Sequence, residues 1–289
     1  MKTKLTFLGT GTSQGIPVIG CECEVCTSTD PKDKRFRSSV LVQYGDITIL
    51  VDCGPDFRMQ MLREKVKHLD AVLLTHNHKD HTGGLDDLRS FNLLEHKPIN
   101  IYCEDYVLNS LKKEYSYAFT EEHYPGVPEW NVKHIDGQTP FVVEPNEMLP
   151  TLVWESGIGY HKIKPNIPLH PRTGVKVIPI QGYHNIEKTF SVLGFRFGDI
   201  AYLTDMRSID ESEFEKLKGL KAVTLNCVGR KPHHSHFNLD MALEIAEKIG
   251  AENTYLTHLA HALGRHTELE ACLPKGVHAA YDGLTIESD

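Results

Sequence analysis

An apolar run at residues 71–74 leads, through Thr75, into His76-Asn77-His78-Lys79-Asp80-His81 and then Thr82-Gly83-Gly84. Four potential metal ligands in six residues constrain this chain more than any other feature. A short apolar stretch of this kind predicts a buried strand, and the cluster then sits where the strand emerges. A loop leaving a strand can turn alternate side chains inward. His76 and His78 can therefore share one ion while Asp80 and His81 face a second, and imidazoles with a carboxylate suit zinc, manganese or iron.

The rest of the composition is that of an ordinary folded chain: 289 residues, 40% hydrophobic and 24% charged. Its 31 Lys and Arg against 39 Asp and Glu leave a formal charge of −8, without the basic stripe that a nucleic-acid binder needs, so polymeric DNA or RNA is not the expected partner. No apolar run reaches the roughly 18 residues of a membrane span. Residues 1–11 read as a strand and a glycine turn, so a soluble, untargeted, cytoplasmic protein is expected. Seventeen histidines exceed what a surface requires.

Strands are predicted at 4–8, 39–44, 47–52, 71–75 and 99–103, with helices at 56–67 and 85–94 between them. The same texture returns from residue 175, with strands at 175–180, 191–197, 200–204, 222–227 and 253–257 and a helix at 239–249. Between these halves, residues 115–174 hold many prolines and both tryptophans, Trp130 and Trp154, with weak periodicity. The chain reads as one domain over 1–289 carrying an insert at about 115–174. The insert would serve as a surface elaboration, a homodimer contact, or a lid whose aromatics line a pocket.

Three later apolar runs also close on a ligand: His184, Asp205 and His258. A donor placed where a buried strand emerges is how α/β folds assemble a site from distant segments. Together with His76 to His81, this pattern resembles the metallo-β-lactamase superfamily and its H-x-H-x-D-H motif. The resemblance implies an α/β fold of the αββα sandwich type. It also implies two divalent ions, one on His76, His78 and His184, the other on Asp80, His81 and His258, with Asp205 bridging. Asp52, in Val51-Asp52-Cys53-Gly54, matches the superfamily's early aspartate, which supports the site loop without being a ligand. Flavodiiron members carry glutamate where His78 stands, and many lactamases carry cysteine where Asp205 stands. The motif thus points to hydrolases of thioesters and phosphodiesters, in which a water between two bridged cations ionises near neutral pH.

Cys21, Cys23 and Cys26 supply three thiolates from one loop, and tetrahedral zinc needs a fourth ligand. His261, three residues past His258, is the expected one, giving a closed structural zinc site in a reducing compartment. Cys53, Cys103, Cys227 and Cys272 read as core residues. The C-x-C-x-x-C loop, Leu8-Gly9-Thr10-Gly11-Thr12-Ser13, Gly54-Pro55-Asp56-Phe57-Arg58 and Tyr281-Asp282-Gly283 together resemble the PhnP-type phosphodiesterases, relatives of the tRNA-processing RNase Z enzymes. That likeness implies a catalytic histidine upstream of the last metal ligand. His236 matches it best, with His234 as the rival, and an imidazolium there would assist the departing alkoxide while Asp80 orients the water. Arg58 and Arg207 are candidate phosphate contacts or surface ion-pair partners. The expected function is hydrolysis of a small cyclic or nucleotide-like phosphodiester by two Zn²⁺ or Mn²⁺ ions beside one structural Zn²⁺. The alternatives are an RNase Z-like endonuclease and a non-catalytic metal-binding sensor.

Overall fold

The computed structural model describes residues 2–120, 126–146, 151–155, 159–163 and 172–288. In chain order the elements are β1 (Thr3–Gly9), β2 (Ser39–Tyr44), β3 (Ile47–Val51), α1 (Phe57–Glu64), β4 (Ala71–Leu73), α2 (Lys79–Thr82), α3 (Arg89–Glu95), β5 (Ile99–Cys103), α4 (Asp105–Glu114), β6 (Trp130–His134), β7 (Phe141–Val143), β8 (Thr151–Glu155) and β9 (Gly159–Ile163). There follow β10 (Val175–Tyr183), β11 (Ser191–Phe197), β12 (Ile200–Tyr202), β13 (Ser208–Ile209), β14 (Ala222–Asn226), α5 (Leu239–Ile249), β15 (Asn253–Thr257), α6 (His266–Cys272), β16 (Val277–Ala279) and β17 (Thr285–Ser288).

Two mixed sheets result. The first runs β17-β1-β2-β3-β4-β5-β6, antiparallel from β17 to β3 and parallel from β3 to β6. The second runs β13-β10-β11-β12-β14-β15-β16, antiparallel up to β12 and parallel beyond it, with β7 also paired to β10. Because side chains alternate along a strand, each sheet has an inner and an outer face to cover. Leu5, Phe7, Val42, Ile49, Ala71 and Leu73 pack against Val177, Leu193, Phe195, Phe197 and Tyr202 between the sheets. On the outer face of the first sheet, Leu50, Val72, Leu74 and Ile101 meet Phe57 and Met61 of α1, Phe91 of α3, and Val107 and Leu111 of α4. On the outer face of the second, Ala201, Val223, Leu225 and Leu256 meet Ala242, Ala246 and Ile249 of α5 and Leu269 of α6. The continuous apolar runs of β4, β5 and β14 fit strands buried on both faces, and the layers follow as helix, sheet, sheet, helix. This is the αββα sandwich that the resemblance implies.

The segment 115–174 departs from the expected insert. β6 joins the parallel edge of the first sheet, Ile99 opposite Trp130, and β7 pairs with β10, Val175 opposite Val143. β6, Trp-Asn-Val-Lys-His, is half-polar, as edge strands tend to be, and β7 is only three residues long, too short to stand out as an apolar run. The hairpin of β8 and β9 forms a separate two-stranded sheet. Trp130 does not line a lid; it packs on Tyr115 and Phe119, ring centroids 5.3 and 5.7 Å away. The side chain of Trp154 and residues 121–125, 147–150, 156–158 and 164–171, all within the expected insert, lie outside the described residues. α1 stops at Glu64 because Lys65 takes a left-handed conformation, φ 54°. The expected helix at 85–94 begins as a 3₁₀ turn before α3. Cys272, read as a core residue, is exposed, whereas Cys53, Cys103 and Cys227 are buried. Among the described residues, no helix is long and apolar enough to cross a membrane.

Candidate metal centre

The expected donors meet at one edge of the sandwich, where β4, β10, β12 and β15 end. Three residues there, Asp52, Asp205 and His258, hold positive φ angles of 63°, 60° and 55°. Non-glycine residues in that region are uncommon and turn the chain sharply as it leaves a strand. Asn226, at the end of β14, clamps one of these turns: its Oδ1 accepts from the Met206 N–H at 2.8 Å and its Nδ2 donates to the Met206 carbonyl at 3.0 Å. Gly54 clears the way for the loop above α2, since a Cβ there would lie 2.1 Å from the carbonyl oxygen of Asp80.

Ligand-type atoms of Asp80, His81, Asp205 and His258 lie within 4.8 Å of one another, as do those of His184, Asp205 and His236. Asp205 is common to both groups. His81 Nε2 stands 3.3 Å from Asp80 Oδ2 and 3.3 Å from Asp205 Oδ2, and His258 Nδ1 is 3.1 Å from Asp205 Oδ1. His76 Nε2 lies 3.8 Å from Asp205 Oδ2. The rings of His76 and His78 are 4.7 Å apart, and His78 is 4.8 Å from the ring of His184. All seven expected donors therefore converge, and His236 joins them, its ring 4.7 Å from both His184 and His258. His234 does not join them: it is exposed and stacks on His233 at 4.4 Å.

Neighbours turn these rings to a fixed orientation. Thr75 donates to Asp52 from both its N–H and its hydroxyl, at 2.9 Å each, and the second Asp52 oxygen faces His81 Nδ1 at 2.7 Å. The Thr75 hydroxyl oxygen also lies 2.9 Å from His76 Nδ1, and His184 Nδ1 is 2.6 Å from the Asp205 carbonyl oxygen. Ser38 Oγ sits 3.2 Å from His258 Nδ1 while donating to the Gly11 carbonyl. Asp52 thus occupies the supporting position expected of it. Ser38, Thr75 and Asn226 were not anticipated; Thr75 and Asn226 close apolar strands just as the ligands do, whereas nothing in the sequence marks Ser38.

Burial, then the neighbouring His81, holds His76 well below the usual imidazole range, and burial followed by His184 lowers His78. Burial also lowers His258. Asp205 is deeply buried, yet His258 and His81 hold its carboxyl well below the ordinary value. Burial opposes charge on His81, but Asp205, Asp80 and Asp52 outweigh it and raise its pKa. The Nε2 atoms of His76 and His81 are buried with no hydrogen-bond partner. Unpartnered buried nitrogens beside ionised carboxylates are costly on their own and are the donor set a divalent cation takes. The residues fit such a centre. The imidazolium expected at His236 meets an obstacle: burial, with His258 beside it, pushes its pKa down to about 2, so the ring is neutral. Its Nδ1 is buried without a partner.

The thiol loop forms a second cluster. Cys21, Cys23 and Cys26 place their Sγ atoms 3.4, 3.3 and 3.6 Å from His261 Nδ1. The Cys26 N–H, then His261, pulls the Cys23 thiol down to about 6. Burial pushes Cys26 up to about 11. The residue after His258 ties the turn that carries His258 and His261 to the segment just after β1, Leu259 N–H donating to Thr10 O at 2.8 Å and Thr12 N–H to Leu259 O at 3.3 Å. Arg58 bonds weakly to Met59 on α1, and Arg207 donates to the His233 carbonyl at 3.0 Å.

Residues 48–259 match the family model described as a beta-lactamase superfamily domain. The octanoyltransferase of Porphyromonas gingivalis is 37% identical over 280 residues, covering 96% of this chain; the chain spans about half, 50%, of that relative's length. Among solved structures, a diphosphatase of the PhnP family superposes with a TM-score of 0.81 at 36% identity, covering 100% of this chain and 98% of the other. The Zn²⁺-bound PqqB of Methylobacterium extorquens shares the fold, with a TM-score of 0.67 at 17% identity over 98% of this chain and 99% of that one. With two mixed sheets between helical layers and a histidine–aspartate cluster at their shared edge, the chain belongs to the metallo-β-lactamase superfamily, a hydrolase fold close to the PhnP family.

Proposed function

We propose that the chain is a dinuclear metal-dependent hydrolase of a small phosphodiester, cyclic or nucleotide-like. The observation that carries this reading is the pair of buried Nε2 atoms, on His76 and His81, that make no hydrogen bond and face the ionised Asp205 at 3.8 and 3.3 Å. In this reading His76, His78 and His184 would hold one divalent ion, Zn²⁺ or Mn²⁺, and Asp80, His81 and His258 the other, with Asp205 within reach of both donor sets. Such a pair supplies Lewis acidity toward a phosphoryl oxygen and acidifies a water. Asp52 and Thr75 keep His81 and His76 in one tautomer and orientation. Asp80, also a candidate acceptor of the water proton, lies beside the centre. His236, neutral and buried, donates a hydrogen bond to the leaving oxygen, where negative charge develops as the P–O bond breaks. Cys21, Cys23, Cys26 and His261 hold a structural zinc apart from the chemistry.

The likeness to a PhnP-family diphosphatase supports a second reading on the same machinery, cleavage of a phosphoanhydride. A departing phosphate carries its charge without a proton and makes less use of His236 than an alkoxide does. Octanoyl transfer, in the name of the longer relative, calls for an acyl-accepting nucleophile. The clustered groups of this centre are imidazoles and carboxylates. The charge of −8 favours a small substrate over tRNA.

The test is hydrolysis of bis(p-nitrophenyl) phosphate and of an inorganic diphosphate by protein loaded with Mn²⁺ or Zn²⁺, compared with His76→Ala. We expect diester turnover to fall at least 100-fold in the variant, in line with loss of a metal ligand. Loaded wild type that never exceeds His76→Ala on either substrate refutes the enzyme reading and leaves the sensor. Turnover of diphosphate alone replaces the diester with the anhydride.

A further inference from the structure

His236 sits on a loop that reaches the metal centre from β14, and its chemistry depends on where that loop is held. The stem is fixed by backbone bonds: Val228 N–H to Phe237 O at 3.0 Å, Phe237 N–H to Met206 O at 3.0 Å, and Leu239 N–H to Gly229 O at 2.8 Å. The tip, residues 231–236, closes on itself where Ser235 N–H donates to His233 Nδ1 at 3.3 Å. Among the described residues, one side chain from outside the loop hydrogen-bonds to that tip: Arg207, whose Nε donates to the His233 carbonyl at 3.0 Å.

Arg207 is itself anchored from below. Its N–H donates to the Tyr183 carbonyl at 2.7 Å, one residue before His184, and it follows Asp205 by two positions. Its neighbour Ser208 opens β13, paired with Tyr183 of β10. One side chain thus braces the His236 loop against the two strand ends that carry His184 and Asp205. Burial keeps His236 tight against those same groups, and a slack tip would let its ring drift from the 4.7 Å spacing to His184 and His258. Catalytic groups act within about half an ångström of the productive geometry.

From this geometry we infer that Arg207 is a positioning residue for His236, acting through the His233 carbonyl rather than by touching phosphate. The inference rests on the role proposed above for His236. The bond uses Nε, the atom next to Cδ. Glutamine places an N–H donor at the same distance along the chain without the charge, whereas lysine keeps the charge but has a methylene there. The two substitutions therefore separate the brace from a phosphate contact, for which charge is what counts.

The experiment compares Arg207→Ala, Arg207→Gln and Arg207→Lys, each also combined with His236→Ala, on two aryl diesters that differ only in leaving p-nitrophenol or phenol. We expect Arg207→Ala to lower kcat at least 10-fold more for the phenol ester than for the p-nitrophenol ester, with KM little moved. Arg207→Gln should recover most of that loss, Arg207→Lys should not, and none should add to His236→Ala. A second readout is the His236 ring resonance in zinc-loaded protein, displaced in the Ala and Lys variants and restored in Gln. A rise in KM shared by both esters and rescued by lysine overturns the inference in favour of a phosphate contact. A uniform loss in all three variants with an undisturbed ring resonance overturns it too. If His236→Ala itself shows no leaving-group bias, the role proposed for His236 fails, and the ring resonance alone then decides whether Arg207 holds the loop.

Discussion

Asp52 carries no metal in any reading of this site, yet the orientation of the centre depends on it. Its carboxylate is fully buried and accepts from the Thr75 N–H and hydroxyl while facing His81 Nδ1. Removing its charge leaves His81 free to present the wrong tautomer. Asp52→Asn should reduce metal affinity or turnover about 10- to 100-fold, the usual effect of losing an outer-shell partner. Titration with Mn²⁺ while following diester hydrolysis checks this, and an unchanged titration curve would show that His81 does not depend on the Asp52 charge. At the thiol cluster, Cys23→Ser should lower bound zinc by about one ion and reduce stability while leaving the dinuclear centre competent. Elemental analysis giving the same zinc count for both proteins rules out that assignment. The donors His76 to His81 were legible because four of them crowd into six residues, and His184, Asp205 and His258 because each closes an apolar run. Ser38 was not legible. It reaches His258 across 220 positions, and only the tertiary fold brings the two together.

Elements were legible where both faces are buried, as in β4, β5 and β14, because a continuous apolar run needs no partner to be recognised. β6 and β7 were not, since an edge strand is stabilised by the sheet it joins more than by its own pattern. The chain on either side of the β8–β9 hairpin is fastened at one buried carboxylate. Asp70 accepts from Asn146 N–H at 2.7 Å and Thr48 N–H at 2.8 Å, and it pairs with Arg172. His68 stands beneath it, 3.0 Å from Asp70 and 2.8 Å from Glu95. Burial pulls the His68 pKa down, but the two carboxylates outweigh it and raise it. A histidine whose pKa is higher folded than unfolded adds stability that is complete below the unfolded value of about 6.5 and lost as pH rises through the folded one. Asp70 shifts the other way; burial opposes its charge but His68 and Arg172 lower its pKa, so its contribution fades only as pH falls below about 3.9. Urea unfolding of wild type and His68→Gln should differ by about 1.5–3 kcal/mol at pH 5–6, the range for a hydrogen bond to a charged group. The gap should narrow above neutrality. A gap that stays constant to pH 9 would mean that His68 is held neutral.

The centre lies on the seam between the two halves of the molecule. His76, His78, Asp80 and His81 leave the first sheet, while His184, Asp205 and His258 leave the second. Hydrogen bonds cross that seam close to the donors, Leu193 N–H to Thr75 O at 3.0 Å among them. Ions held by both sets of donors would therefore tie the sheets together at the edge where their packing ends, and also relieve the unpartnered nitrogens of His76 and His81. A ligand that binds only the folded state stabilises it by mass action, about 2.7 kcal/mol for each site when free ligand is 100 times its Kd. Protein stripped by a chelator should consequently melt several degrees lower than protein dialysed against Zn²⁺ or Mn²⁺, and re-addition should restore the Tm. Asp205→Asn, which removes charge from the residue both donor groups share, should shrink that difference, whereas Cys23→Ser should leave most of it. Should Asp205→Asn instead keep the full metal-dependent shift and Cys23→Ser abolish it, the stabilising ion would belong to the thiol loop, and the cluster at the seam would not be the metal centre that joins the two sheets.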